Sequence, residues 1–307
     1  MQEMKLKSFD GKQLQTYVWD DVKKPIGVIQ LVHGSCEHSL RYREFAAFFN
    51  ANGYIVVAHD YRGHGQTADL TQNELGYFSD ENGWDMITDD LLTINDYIRK
   101  TFKNLKIIMF SHSMGTFIAR TFVAKYHNKI DGLILSGTAW QSRAALKFGV
   151  WFSKRSQKKH GPKYIDKTIF NLSYAPLNKK FKFKGATGSE WIQNDQANVA
   201  AFVADPLCGF IFTNSAYKDL FTGLLFIQKK ANIQAIETDL PILLASGAQD
   251  SVGNFKKGVK KTYNKFKKVG LDVTLTFYEK SRHEIGFDIE KEQVLHDWLA
   301  FANQITK

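Results

Sequence analysis

A serine hydroxyl becomes a useful nucleophile only when a neighbouring base takes its proton and an acid holds that base in place. The residues to look for are therefore a Ser, a His and an Asp or Glu that one fold can bring together. The run Leu105-Lys-Ile-Ile-Met-Phe110 passes directly into Ser111-His112-Ser113-Met114-Gly115 and then into Thr116-Phe-Ile-Ala-Arg-Thr-Phe-Val123. That reads as strand, tight turn and helix, with Ser113 at the tip. In such an elbow the turn holds the serine in a strained backbone, small neighbours let strand and helix approach, and the helix N-terminus favours developing negative charge. The pattern departs from G-x-S-x-G at its first position, where Ser111 stands for Gly.

The partners of such a serine follow it in the order acid, then histidine. Downstream lie His127, His160, His283 and His296. His127 and His296 fall in or at the end of helical patterns, and His160 lies in a basic stretch. His283 alone follows the last expected strand in a loop, where a general base belongs. Asp250 ends the apolar run Pro241-Ile-Leu-Leu-Ala-Ser-Gly-Ala-Gln-Asp, with Gly247 allowing a turn, so it is the expected acid that orients His283. Asp60 and Asp131 lie in the wrong part of the chain order. Acyl transfer also needs donors aimed at an oxyanion, usually backbone N–H groups. Two positions suit: Met114, directly after the nucleophile, and Ser35, after the run ending Leu31-Val32-His33-Gly34. By itself His33-Gly34 also reads as an ordinary turn.

Two further patterns fail on context. Gly63-His64-Gly65-Gln66-Thr67-Ala68 matches a dinucleotide-binding spacing after a strand, but no apolar-periodic helix follows, so it reads as a structural turn. His283-Glu284 begins like a zinc-protease signature, yet Phe287 stands where the second histidine is required. Neither a metal nor a cofactor is expected.

These residues need elements to hold them. Short apolar runs recur at Leu14–Trp19, Gly27–Val32, Tyr54–His59, Leu105–Phe110, Gly132–Ser136, Pro241–Ser246 and Leu271–Phe277. Each is too short for a helix and several are β-branched, so strands are expected. Helical patterns alternate with them at Arg43–Asn50, Asp85–Phe102, Met114–Tyr126, Phe255–Lys268 and Lys291–Ile305. Such alternation predicts an α/β fold whose mostly parallel sheet is covered on both faces, with the first two of these strands as an antiparallel hairpin at one edge. The alternation stops after Ser136 and resumes at Pro241. A structureless loop of that length is uncommon, so several short helices forming a lid are expected there. The division is then a core of residues 1–137 and 238–307 with a helical cap over 138–237.

Composition narrows the classes. At 307 residues the chain can bury a substantial core. Neither a cleavable leader nor a run of roughly 20 apolar residues is visible, so a soluble protein is expected. Cys36 and Cys208 are far apart and form no C-x-x-C, which suits a reducing cytoplasm. The net charge is +10, and Lys154–Lys184 holds ten Lys or Arg against the single acid Asp166. Such a patch attracts anionic lipid, acidic substrate or nucleic acid, or is simply a solvated surface.

Five segments together resemble the monoacylglycerol lipase and lysophospholipase-like branch of the α/β hydrolases, often grouped with serine aminopeptidase-type sequences. They are His33-Gly-Ser-Cys-Glu-His38, Asp60-Tyr-Arg-Gly-His-Gly65, Ser111–Gly115, Asp205-Pro-Leu-Cys-Gly-Phe210 and Arg282-His-Glu284. The resemblance runs from about Phe9 to Trp298. It implies an α/β-hydrolase fold with a helical cap and hydrolysis of carboxylic esters such as monoacylglycerols, lysophospholipids or small esters, without a cofactor. Asp60–Gly65 would be a structural loop near the nucleophile, and Asp205–Phe210 would belong to the cap. Trp140, Trp151, Phe152, Phe210 and Phe212 are expected to line an acyl site. Amide or peptide hydrolysis by the same three residues, and ligand binding on a weakened site, are the alternatives. The basic cap is expected to make transient contact with anionic membrane; no nucleic-acid partner is expected.

Overall fold

The computed structural model describes Met1–Lys307. Eight strands form one sheet: β1 (Gln2–Lys7), β2 (Gln13–Trp19), β3 (Gly27–Val32), β4 (Tyr54–His59), β5 (Lys106–His112), β6 (Gly132–Ser136), β7 (Ile242–Gly247) and β8 (Val273–Tyr278). Their spatial order is β1-β2-β4-β3-β5-β6-β7-β8. The ladders from β4 through β8 are parallel, while β1 and β2 add an antiparallel edge.

The expected edge hairpin exists, but not between the strands named for it. Its members are β1 and β2, with Lys7 opposite Gln13, whereas β3 lies inside the sheet between β4 and β5. The sequence Gln-Glu-Met-Lys-Leu-Lys hides β1 because its residues are exposed or only half-buried. An edge strand with one wet face shows no continuous apolar run.

The interior strands are mostly apolar because helices cover both faces, with Gln30 in the middle of β3 a buried polar exception. Alternate residues split between two cores: Val28, Val57, Met109, Leu133 and Leu244 face one side, and Ile29, Val56, Phe110, Ile134 and Leu243 face the other. On the second side pack α1 (Arg43–Ala51) and α10 (Lys291–Thr306), with the Phe110 ring centroid 4.5 Å from Phe45 and 4.7 Å from Trp298. On the first side lie α2 (Gly83–Thr101) and α3 (Met114–Lys125). The stripe Ile87, Leu91, Ile94, Ile98 on α2 has the i, i+4, i+7 spacing that seats a helix on a sheet.

Between β6 and β7 the chain makes five helices: α4 (Arg143–His160), α5 (Lys167–Ser173), α6 (Gln196–Ala204), α7 (Asn214–Ile227) and α8 (Lys230–Gln234). α7 packs on α4 and also on α2 and α3, so it ties this segment to the sheet's own helices. α9 (Lys257–Lys268), between β7 and β8, begins two residues later than the pattern suggests, because Asn254, Phe255 and Lys256 all take left-handed backbone with φ of 50°, 51° and 74°. No helix is long and apolar enough to cross a membrane.

Candidate active site

The chain reverses its direction of winding at β3. β4 lies on one side of it and β5 on the other, so the loops after β3 and β5 diverge at the carboxyl ends of the strands and leave a crevice. Ser113 follows β5 at that edge. Its backbone has φ 50° and ψ −120°, a conformation that costs a non-glycine residue roughly 1–3 kcal/mol. The strain is held by its N–H, which donates to Ser136 O at 2.9 Å, and by its carbonyl, which accepts from Thr116 N and Oγ1 at 2.9 and 2.7 Å. Gly115 is required on the far side of the turn: a Cβ there would lie 2.4 Å from Val32 O and 2.5 Å from His33 O. Ser111 meets no crowding. Its hydroxyl donates to Ile134 O at 2.8 Å, bridging β5 and β6.

The loop after β8 brings His283 to the serine, with Nε2 2.8 Å from Ser113 Oγ. Asp250, after β7, is fully buried, and its Oδ1 lies 3.0 Å from His283 Nδ1, displaced from the line of the ring N–H. Its carboxylate is fixed by Val252 N at 2.8 Å and by Ser246 Oγ at 3.3 Å. Gly247 makes the meeting of the two loops sterically feasible, since a Cβ would fall 2.0 Å from Arg282 O. The structure thus brings Ser113, His283 and Asp250 together from three separate strand ends.

Electrostatics separate His283 from the other buried histidines. Burial disfavours its cation, but the negative charge of Asp250, with Glu284 and Glu37 further out, outweighs that and raises its pKa above the ordinary histidine value. Burial, with the charge of His283 adding to it, pushes the neighbouring His112 down to about 3. His33, His59 and His64 are lowered by burial as well. His283 alone therefore combines contact with Ser113 Oγ and a raised pKa.

Ser35 and Met114 line the same cavity as Ser113. Neither N–H donates to another protein group, so both are free to donate to an oxyanion. The loop carrying Ser35 is braced from several sides. Cys36 N donates to His64 Nε2 at 3.3 Å, Tyr61 N donates to His33 Nε2 at 3.3 Å, and Tyr174 OH donates to Ser35 Oγ at 3.1 Å. The Asp60–Gly65 turn therefore supports the Ser35 loop, and Asp60 itself accepts Ser39 N and Gln66 N.

Sequence reasoning missed a buried ionic bridge. Glu37 accepts Gly34 N and Tyr42 OH and pairs with Arg41, which also binds Glu284 through two 2.8 Å hydrogen bonds. The guanidinium lies between the rings of Phe202 and Phe287. The bridge joins the Ser35 loop to the residue after His283. Its residues lie in the polar segments His33–Arg41 and Arg282–Glu284, whose spacing gives no sign that they meet. Elsewhere, ligand-type atoms of His38, Asp205 and Cys208 lie within 4.8 Å of one another and could hold a metal ion; His38 Nε2 already pairs with Asp205 at 2.8 Å, joining the helical segment to the Ser35 loop.

The main cavity, about 680 Å³, is walled by Met114, Phe117, Leu146, Phe148, Phe152 and Leu224 among others. Of the aromatics expected to line it, Trp140 and Phe152 do, and Phe210 borders a smaller adjoining pocket of about 90 Å³. Phe212 is instead fully buried in the core and Trp151 is exposed on the surface. Both positions were read from aromatic content, which does not say which way a helix or loop faces.

A mostly parallel eight-stranded sheet with helices on both faces, and a serine elbow at the switch point, define an enzyme of the α/β-hydrolase class. The chain belongs to the family described as serine aminopeptidase, S33, whose profile matches residues 23–290. It is 24% identical to human monoglyceride lipase over 301 residues, covering 97% of this chain and 89% of that one. It is 32% identical to a monoacylglycerol lipase of Mycolicibacterium smegmatis over 131 residues, 42% of this chain and 44% of the other. Among solved structures, a highly thermostable carboxyl esterase from Bacillus coagulans in complex with glycerol superposes with a TM-score of 0.92 at 27% identity, covering 100% and 99% of the two chains.

Proposed function

We propose that this enzyme hydrolyses carboxylic esters of a small uncharged alcohol with an apolar acyl chain, of which monoacylglycerol is the type. The likeness to monoglyceride lipases and to a carboxyl esterase supports ester hydrolysis. Ser113 attacks the acyl carbonyl while His283 Nε2 takes its proton. Asp250 holds the imidazole tautomer and stabilises the imidazolium, and the N–H groups of Ser35 and Met114 receive the oxyanion. His283 then protonates the leaving alcohol, and water, activated by the same ring, clears the acyl-enzyme. The helices over 138–237 act as a cap that forms the acyl site and excludes water.

The observation that carries this reading is the 2.8 Å contact between His283 Nε2 and Ser113 Oγ at the junction of two unlike cavities. The large one is mostly apolar and suits an acyl chain. The small one, bordered by Gly34, Ser35, Glu37, Glu284 and His283, suits a short polyol and not a phosphorylated headgroup. Glu37 and Glu284 share the single guanidinium of Arg41, so the small pocket keeps a net negative charge, which disfavours a phosphorylated headgroup. No carboxylate lines the larger cavity, so the acyl site offers no acid to the ammonium group of an aminopeptidase substrate. Exposed Phe148, Trp151 and Leu172 beside the lysines of 154–184 support transient contact with anionic membrane.

The test is a chain-length series of p-nitrophenyl esters with monoacylglycerol, lysophosphatidylcholine and a matched amide, each run with the intact enzyme and with Ser113→Ala. Ester and monoacylglycerol turnover that exceeds lysolipid and amide turnover, and that is lost in the variant, is expected. Faster cleavage of the amide, or turnover that survives Ser113→Ala, would remove the proposal.

A further inference from the structure

A second cavity, of about 640 Å³, backs onto the wall of the acyl site and shares Trp140, Gln141 and Ser142 with it. Its remaining lining brings together three separate elements: Arg143 at the start of α4, Gln228 and Lys230 at the turn from α7 into α8, and Lys261, Lys265 and Lys268 on α9. No acid lines it. None of these five cations forms an ion pair, although their neighbour Lys256 does, with Glu279. Lys261 and Lys265 both lean over the Trp140 ring, with Nζ 5.7 and 6.0 Å from its centroid.

A lysine-rich helix face is ordinarily just solvated, and three cations on α9 alone would imply nothing more. Two features go further: the five cations converge from three separate elements with no acid among them, and a buried charge lies behind them. Behind the same wall, the fully buried Arg120 donates to Ala139 O and Ile227 O, the carbonyls preceding Trp140 and Gln228, at 3.1 and 3.4 Å, and has no carboxylate partner. Its charge adds to the positive field of the cavity, where several like charges raise the local concentration of anions.

We infer that this cavity is a phosphate-binding site, in which Lys261, Lys265, Lys268, Lys230 and Arg143 neutralise the anion. The site is distinct from the basic stretch Lys154–Lys184, because only α9, the α8 turn and the first residue of α4 contribute to it. The shared chemistry is a phosphate oxyanion, carried by a lipid headgroup or by a free phosphate compound. Because Trp140–Ser142 wall both cavities, a bound phosphate would sit one chain thickness from the acyl site. The inference does not depend on the reaction at Ser113, and its test reads binding alone.

Inorganic pyrophosphate titrated calorimetrically into the intact enzyme at pH 7 is expected to bind one to one. Affinity should fall about tenfold or more in Lys261→Glu/Lys265→Glu, since each reversal replaces attraction by repulsion within the cavity. It should also fall in Lys230→Glu/Lys268→Glu, which reverses the charges contributed by the α8 turn and the far end of α9. Lys158→Glu/Lys159→Glu, on the other basic stretch, should leave it unchanged. Phosphatidylglycerol vesicles, with phosphatidylcholine vesicles as control, identify the source: pyrophosphate that displaces the enzyme from the anionic vesicles makes a lipid phosphate the ligand, and failure to displace it makes the ligand a free phosphate compound. Absence of pyrophosphate binding, or binding equally strong in both cavity variants, would overturn the inference.

Discussion

Replacing Asp250 by Asn changes one oxygen for an amide and should uncouple the two effects of the carboxylate. In the structure the buried carboxylate lies 3.0 Å from His283 Nδ1 and is the leading reason that the imidazole pKa stands above its ordinary value despite burial. The unprotonated ring is the base, so activity should rise with pH through that raised pKa, on a limb with its midpoint above 6.5. With Asn in place the attraction is lost and burial acts with less opposition, so the limb should move toward acid. An amide can also donate to Nδ1 and leave the proton on Nε2, the atom that must accept from Ser113. The corresponding change in another serine enzyme lowers kcat about 10⁴-fold, roughly 5 kcal/mol of barrier. The assay is a pH profile of kcat/KM for a p-nitrophenyl ester with intact and Asp250→Asn enzyme. A loss of only a few fold, or an acid limb that stays put or moves toward alkali, would refute the role given to Asp250.

Other consequences follow from individual contacts. Ser111→Gly removes the hydroxyl bridge to Ile134 O and puts glycine in a central strand, so chemical denaturation should show about 1–2 kcal/mol less stability with turnover intact; a collapse of kcat would mean that Ser111 acts on the chemistry. Arg41→Met strands Glu37 and Glu284 as buried, unpaired carboxylates, which should cost about 3–5 kcal/mol in the same measurement and slow turnover by loosening both active-site loops. Asp219, buried in α7, is raised to about 7 by burial. Its folded pKa exceeds the unfolded value of 3.8, so its contribution is most favourable below 3.8, declines as pH rises, and is fully lost above about 7. Asp219→Asn should therefore raise the thermal midpoint at pH 9 and change it little at pH 4.

The sheet was legible because its interior strands are buried on both faces, which forces the mostly apolar runs at Gly27–Val32, Tyr54–His59 and Gly132–Ser136. Strand β1 was not, since an edge strand with polar alternation looks like surface. Ser113, His283 and Asp250 could be singled out by chain order alone because each follows a recognisable strand, and the structure brings them within contact distance. The Glu37–Arg41–Glu284 bridge could not be read, because its value lies in a contact between residues 243 positions apart. The direction of Trp151 and Phe212 was equally hidden, as aromatic content carries no information about which side of a helix or loop meets the core. The cavity beside α9 emerged only when Arg143, Lys230 and three helix lysines were seen to converge.

Hydrolysis through Ser113 requires an acyl-enzyme on its hydroxyl. Intact-protein mass spectrometry after brief acid quench of a reaction with p-nitrophenyl butyrate should show a species heavier by one butyryl group, located by peptide mapping on Ser113, accumulating further in His283→Ala if residual attack persists and absent in Ser113→Ala. Ester hydrolysis with no covalent species at any quench time in enzyme and His283→Ala alike, or an adduct mapped to another residue, would contradict it.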